Sequence, residues 1–168
     1  AFAFLRMPEA LLLLRLQDVG VSVAAVPLLW AALHVVRSTA SYPGGWLADR
    51  MGPGRTMLLG WGIYAAVCAG LAGSGTPAAG SLWFLVFGLV AATTEAPERA
   101  LVARWSGLTA RGRGFGRYHA GVGLAALPGG LALGALYQVQ GGPWALRASA
   151  VAALAVAVAG LWRLARSR

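Results

Sequence analysis

Ser41-Tyr-Pro-Gly-Gly-Trp-Leu-Ala-Asp-Arg-Met-Gly-Pro-Gly-Arg-Thr56 is a charged, glycine-rich stretch between two long apolar runs. Before it, Val19–Val36 has 18 residues without a charge, and after it Thr56–Thr94 has 39. A helix needs about 20 apolar residues to cross the hydrocarbon core, so both runs reach membrane length. The pattern therefore predicts two antiparallel membrane helices joined by this charged hinge.

The composition extends this interpretation to the whole chain. Apolar residues make up 58% of the 168 residues and charged residues only 11%, whereas a soluble domain carries about 25% charged residues. The predicted fold class is all-α, a polytopic membrane helix bundle in contact with the lipid bilayer. Its six predicted spans form one unit over residues 1–168, at about 1–17, 20–38, 56–73, 81–102, 118–138 and 144–162.

The basic residues predict the topology. The chain has 14 of them, all arginine, and a net charge of +9. Nine arginines fall in the stretches 41–56 and 103–117 and at the C-terminus, against two (Arg15 and Arg147) in the loops on the other side. The positive-inside rule explains this bias without a nucleic-acid partner and predicts that the hinge and the C-terminus are cytoplasmic. The apolar start at Ala1, without a basic leader, predicts that a longer reading frame precedes it.

The hinge also carries a recognisable motif. Gly45, Asp49, Arg50, Gly52 and Arg55 fit G-x-x-x-D-R-x-G-x-x-R. This pattern resembles the cytoplasmic loop signature of the major facilitator superfamily, found between helices 2 and 3 and between helices 8 and 9. The stretches Thr94–Ala103 and Arg113–His119 are also similar to that family. One position departs from the signature, because Gly54 stands where a basic residue is usual.

The resemblance implies that the chain corresponds to helices 7–12, one of the two six-helix bundles of the family. It implies secondary active transport of a small-molecule substrate by alternating access, coupled to protons, in a bacterial inner membrane. It also implies a partner, the N-terminal six-helix half, which this sequence lacks.

The same resemblance implies that the signature is a conformational latch. Asp49 would cap a helix of the opposite bundle, Arg50 would pair with Glu98, and Arg99 or Arg104 would pair with Asp49. Breaking and remaking such contacts is a bistable element suited to alternating access. The alternative is that these charges only anchor helix ends at the membrane surface.

Charged residues at membrane depth usually face a cavity or a partner. Arg6 and Glu9 lie three apart on the first predicted span, where they share a helix face, and Pro8 is expected to kink that helix. In the resembled family the corresponding helix lines the central cavity, so both residues are candidates for contact with substrate or a coupling proton. The alternative is a closed ion pair that stabilises the kink.

A second candidate group lies on the fourth predicted span. Glu95, with the Thr94 hydroxyl beside it, could bind a cationic group or a proton, while Pro97 loosens the helix. The alternative is an internal Glu95–Arg99 bridge of structural value only. On the fifth span Gly121, Gly130 and Gly134 are candidates for close helix packing, which the resemblance places against the missing half.

Other classes of function find little support in the sequence. Asp18 and Asp49 are the only aspartates and are predicted on opposite sides, which argues against a membrane enzyme with a paired-aspartate metal site. There is no G-x-x-x-x-G-K-[ST] motif for direct ATP drive. We therefore expect no enzymatic activity, cofactor or metal. A non-transporting relative that serves as an assembly factor or receptor remains the alternative function.

Overall fold

The computed structural model describes residue 4 and residues 6–106 and 111–166 of the chain. Within these residues the elements are helical, and no strand occurs. They are α1 (Glu9–Asp18), a 3₁₀ turn (Val23–Ala25), α2 (Val26–Met51), α3 (Pro53–Gly73), α4 (Pro77–Val86), α5 (Gly88–Ser106), α6 (Arg111–Gln140) and α7 (Gly142–Arg166).

Five segments of the described residues are long and apolar enough to cross a membrane: Val23–Met51, Pro53–Gly73, Pro77–Ser106, Gly112–Gln140 and Gly142–Arg166. The third comprises α4 and α5, which meet at Phe87. The prediction of an all-α membrane bundle is confirmed.

The first predicted span differs from what the structure shows. Residues 6–8 are not helical, and α1 has only 10 residues, too few to cross the hydrocarbon core. Pro8 does not kink a continuous helix but stands at the N-cap of α1 with φ −57° and ψ 138°. Proline disfavours helical geometry in the residue before it, which explains why the helix starts after this point. The part of the predicted span that covers residues 1–3 and 5 lies outside the described residues.

The hinge also differs from its prediction as a loop. Helix α2 continues to Met51, so Gly45, Asp49 and Arg50 are helical, and the chain turns only at Gly52. Gly52 has φ +83° and ψ 151°, a conformation that glycine adopts at little cost and other residues avoid. Pro53 then opens α3 at a position where proline is favoured. Likewise α6 starts at Arg111, so residues 111–117 of the predicted basic loop are helical, while residues 107–110 lie outside the described part.

Helix α3 is central to the bundle, packing against both α5 and α7, while α2 packs along α5. The core that joins these helices includes the fully buried side chains of Leu33, Tyr64, Phe84, Phe87 and Leu146. Of the residues in the most apolar 18-residue stretch of each span, 50% are buried inside the bundle in α3, but only 6% in the span of α2 and 11% in that of α6. The outer faces of α2 and α6 are therefore free for lipid or for a partner.

Candidate functional site

The non-helical segment before α1 is held by a hydrogen-bonded network. The Met7 N–H donates to the Tyr64 hydroxyl of α3 at 2.6 Å, and that hydroxyl lies 2.6 Å from the Ser149 hydroxyl of α7. All three residues are buried. A backbone N–H released from a helix has no water to bond at membrane depth, so it needs such an internal partner. The network fixes the segment that carries Arg6 to the centre of the bundle.

Next to this segment lies a cluster of three charges around one aromatic ring. The Glu9 carboxylate accepts a hydrogen bond from Arg37 of α2, and Arg6 Nη2 lies 3.8 Å from the same oxygen. The guanidinium carbons of Arg6 and Arg37 lie 5.6 Å and 5.5 Å from the centre of the Phe87 ring. Both arginines thus gain a cation–π contact with a fully buried ring. We call Arg6, Glu9, Arg37 and Phe87 the charged cluster.

The charged cluster borders a cavity of about 620 Å³, here called the central cavity. Its walls come from the segment before α1 and from α1, α3, α5 and α6. The lining residues are Arg6, Met7, Pro8, Glu9, Met57, Trp61, Glu98, Tyr118, Val122 and Ala126. Pockets for small molecules typically occupy about 300–1,000 Å³ and combine apolar walls with a few polar groups. The central cavity has both the size and this mixture of groups.

Glu98 contributes the second carboxylate of the central cavity. Tyr118 of α6 and Arg6 both line this cavity and are close enough to Glu98 to stabilise its negative charge. Among the described residues Glu98 belongs to no salt bridge. The cavity is therefore flanked by Arg6 on one wall and by an ionisable carboxylate on another.

Glu95 faces a separate, smaller cavity of about 340 Å³ between α2 and α5. Arg37, Ser41 and Arg99 also line it. Glu95 Oε2 lies 3.4 Å from Arg99 Nη2 in an exposed i,i+4 pair, which is the structural bridge that the sequence left open as an alternative. Arg37 links the two cavities, because its guanidinium binds Glu9 on one side and borders the Glu95 cavity on the other.

Thr94, a predicted candidate, lies at the contact between α5 and α3. Its side chain is 1% exposed, and its hydroxyl donates to the Val90 carbonyl at 2.7 Å. A Cβ added at Gly60 of α3 would lie 2.6 Å from Thr94 Cγ2, so the two helices are in close contact there. The hydroxyl is thus engaged within α5, and Thr94 lines neither of the two cavities.

The comparisons with known proteins agree with this architecture. The Major Facilitator Superfamily profile matches residues 4–168. The chain belongs to the major facilitator superfamily. It is 26% identical over 139 residues to an uncharacterised MFS-type transporter of Methanocaldococcus jannaschii, an alignment that covers 83% of this chain and 34% of that protein. The chain thus spans about a third of the length of this relative. No solved structure matches it.

The family is one of integral membrane proteins, and the structure shows where the signature residues of this chain lie. Asp49 and Arg50 are exposed at the end of α2, and Arg55 and Arg104 are exposed near the same end of the bundle. The Arg50 guanidinium carbon lies 4.3 Å from the Trp46 ring centre, not beside Glu98. Arg99 binds Glu95 and not Asp49. In this conformation the described residues do not form the two latch pairs that the resemblance implied.

The three glycines predicted for helix packing divide into two groups. A Cβ added at Gly130 would lie 3.4 Å from Pro8 Cγ, so this glycine packs on the segment before α1. Cβ atoms at Gly121 and Gly134 would meet nothing within 4 Å of the described residues. Gly121 and Gly134 are consequently available to a surface outside this chain.

Two arginines whose roles the sequence did not reveal are important in the structure. Arg37 stood at the end of the predicted span 20–38, whereas α2 continues to Met51. The stretch 38–42 contains neither glycine nor proline, which was a signal that the helix continues past Arg37. Arg15, counted as a loop charge, is only 9% exposed. Its guanidinium donates to the carbonyls of Leu71, Ala72 and Ser74 at 2.8–3.5 Å, at the C-terminal end of α3. A cation there satisfies carbonyls that the helix leaves unpaired.

Proposed function

We propose that this chain is the C-terminal half, helices 7–12, of a secondary transporter that moves a small solute by alternating access. The central cavity is the observation that carries the proposal. It lies beside the non-helical segment 6–8 that precedes α1, and non-helical breaks beside helix ends line the midplane substrate sites of several transporter folds. Glu9 is nine residues from the end of α1 at Asp18, about 13 Å at 1.5 Å per residue, which is close to half of a hydrocarbon core of about 30 Å.

Proton coupling is the second part of the proposal. Arg6, Glu9 and Glu95, the predicted candidates, are joined by Glu98 and Arg37. Arg37 binds Glu9, Arg6 lies 3.8 Å from the same carboxylate oxygen, and Arg37 also borders the cavity of Glu95. A proton taken up by Glu9 would release Arg37 toward Glu95, which would alter the contact of α1 with α2. Such an exchange of partners would connect protonation to helix movement.

The proposal includes a partner and an orientation. An N-terminal six-helix half would complete the cavity and receive Asp49 at the end of one of its helices when the latch closes. The latch comprises the signature residues Gly45, Asp49, Arg50, Gly52 and Arg55 and their partners Glu98, Arg99 and Arg104. The distribution of arginines supports an orientation in which the ends of α2, α5 and α7 lie on the cytoplasmic side of a bacterial inner membrane. The activity is transport and not catalysis.

Reconstitution tests this function. The product of the complete reading frame that contains these residues is placed in liposomes with a pH-sensitive dye inside, and a panel of solutes is added outside. We expect at least one solute to change the internal pH, with the response reduced at least tenfold in Glu9→Gln and Arg37→Gln. Arg147→Gln, which removes an exposed outer charge, is the matched control and should keep the response.

Two results would contradict the proposal. If no solute moves protons and none changes the thermal stability of the protein, transport is wrong and the assembly-factor function is favoured. If a solute enters at equal rates with and without a pH gradient, transport holds but proton coupling is rejected.

A further inference from the structure

We propose that the central cavity binds an amphipathic zwitterion, with Arg6 holding the anionic group of the ligand and Glu98 its cationic group. This inference rests on the proposed function, because it names the substrate class of the same cavity. The argument depends on which charges of the cavity are already neutralised and which are left for a ligand.

Arg6 is the arginine of the charged cluster whose guanidinium N–H donors are not used by Glu9. Glu9 is bound directly by Arg37, whereas Arg6 Nη2 is 3.8 Å from Glu9, too far for a hydrogen bond. The side chain of Arg6 is 32% exposed, against 18% for Arg37. The charged cluster holds two positive charges and one negative charge, so it presents one positive charge to the cavity. A guanidinium binds carboxylate or phosphate through paired N–H donors.

Glu98 supplies the opposite charge. It lines the same cavity, and its neighbours are Tyr118, Arg6, Glu95 and His119. The charge of Glu95 is paired with Arg99. One positive charge of the cluster and one negative charge of Glu98 therefore remain, and the ionised cavity has a net charge near zero. Tyr118 and Trp61 place aromatic rings on the same lining, and aromatic faces favour a nearby cation.

The balance of charge decides the class of ligand. A purely anionic ligand would bind Arg6 but leave Glu98 with one more negative charge nearby, and a purely cationic ligand would do the reverse at Arg6. An uncompensated charge away from water is costly. A zwitterion gives each group a partner and adds no net charge. The apolar part of the walls, including Met57, Val122 and Ala126, favours a ligand with a hydrophobic body.

The test uses matched compounds that differ only in charge. The protein in lipid nanodiscs is heated in the presence of leucyl-leucine, its N-acetyl derivative (anionic), its amide (cationic) and the N-acetylated amide (uncharged), all at pH 7. The same four forms of leucine test a shorter separation of charges. We expect the free zwitterion of at least one series to raise Tm and to bind at least tenfold more tightly than its singly charged and uncharged relatives.

Variants assign the two contacts. Arg6→Gln should abolish the preference for the zwitterion over the cationic amide, and Glu98→Gln should abolish the preference over the N-acetyl anion. Arg147→Gln is the charge-matched control and should keep both. Because the readout is the shift in Tm caused by each compound, a variant with a lower starting Tm still gives an answer.

Several outcomes would overturn the inference. A singly charged compound that binds as tightly as the zwitterion rejects it, and so does the absence of binding by every compound in both series. Equal binding of the zwitterion to the protein and to both variants rejects the assigned contacts. The proposed function is judged separately, since solute-driven proton movement by a singly charged or uncharged solute would leave transport intact while this inference fails.

Discussion

Arg15 shows how one buried charge can fasten two helices. Its guanidinium serves three carbonyls at the end of α3 while its backbone belongs to α1. Glutamine is shorter, uncharged and has only two amide N–H donors, so at least one of the three carbonyls loses its donor and the others lose a charged one. Hydrogen bonds to charged groups are worth about 1.5–3 kcal/mol.

We therefore expect Arg15→Gln to lower the free energy of unfolding by about 2–4 kcal/mol. Titration with sodium dodecyl sulfate in mixed micelles measures this. Arg147→Gln is the control on the same side of the membrane, because Arg147 is exposed and stacks on Trp144 at 5.4 Å. If Arg15→Gln lowers the free energy of unfolding by less than about 0.5 kcal/mol, the usual limit for a surface substitution, the hydrogen bonds of Arg15 to the end of α3 are not needed for stability.

Tyr64 carries the second residue-scale prediction. Tyr64→Phe removes the hydroxyl that accepts from Met7 N–H and bonds Ser149. Because a buried polar group without a partner costs about 1–3 kcal/mol, the variant should be destabilised by this amount, and the segment before α1 should exchange its amide hydrogens faster. Tyr42→Phe is the control, since Tyr42 is 83% exposed. Unchanged exchange at Met7 would contradict the role of the network.

At the scale of the helices, the two adjacent glycines of the hinge have different surroundings. A Cβ at Gly44 would lie 2.2 Å from the Ala92 carbonyl oxygen, whereas a Cβ at Gly45 would meet nothing within 4 Å of the described residues. Close approach of α2 to α5 therefore depends on Gly44, although Gly45 is the signature residue.

Alanine at each position separates packing from recognition. Gly44→Ala must push α2 away from α5 and should cost about 1–3 kcal/mol, the usual effect of overpacking. Gly45→Ala should be neutral or stabilise the helix by about 0.5–1 kcal/mol, because glycine is a poor helix former. Unfolding of both variants in mixed micelles checks this. If Gly45→Ala is stable yet inactive in the transport assay, its role concerns a surface outside the chain. Equal destabilisation of both would contradict the packing argument.

The elements also show where local patterns stopped being informative. The charge-free runs predicted the helices that are long enough to cross the membrane, and the motif of the hinge predicted the family. Both succeeded because hydrophobic length and a short motif are local properties of the sequence. They did not predict that α2 would continue through Pro43 to Met51. That extension places Arg37 well inside the helix instead of at its end.

The sequence also did not predict the rotation of α5 about its axis, which decides the direction in which each of its side chains faces. Glu98 faces the central cavity, Glu95 the smaller one, and Thr94 is packed against α3. These directions are set by close contacts such as Gly60 with Thr94 and Gly88 with Val36. Such contacts join residues far apart in the sequence, so spacing within α5 could not assign them. The same reason explains why Glu98 was expected at the latch and not in the cavity.

At the scale of the whole molecule, α6 is one of two helices, with α2, that the described residues leave largely uncovered. On α6, Leu124, Leu127 and Leu131 are 65–72% exposed, and a Cβ at Gly121 or Gly134 would meet nothing within 4 Å in the part of the chain that the structure describes. Small residues beside exposed leucines suit close helix packing in a membrane. The proposed N-terminal half would cover this surface.

A larger side chain at Gly121 tests that association. Because a Cβ there has open space, Gly121→Leu should change the free energy of unfolding of this chain by less than about 0.5 kcal/mol. If the N-terminal half packs on α6, the same change should block its close approach. Expressed as a separate tagged polypeptide, that half should copurify at least fivefold less with the variant. Ala159→Leu, a similar enlargement at an exposed position of α7, should leave copurification unchanged. Equal capture by both variants would show that the two halves meet elsewhere, and α6 would then face lipid.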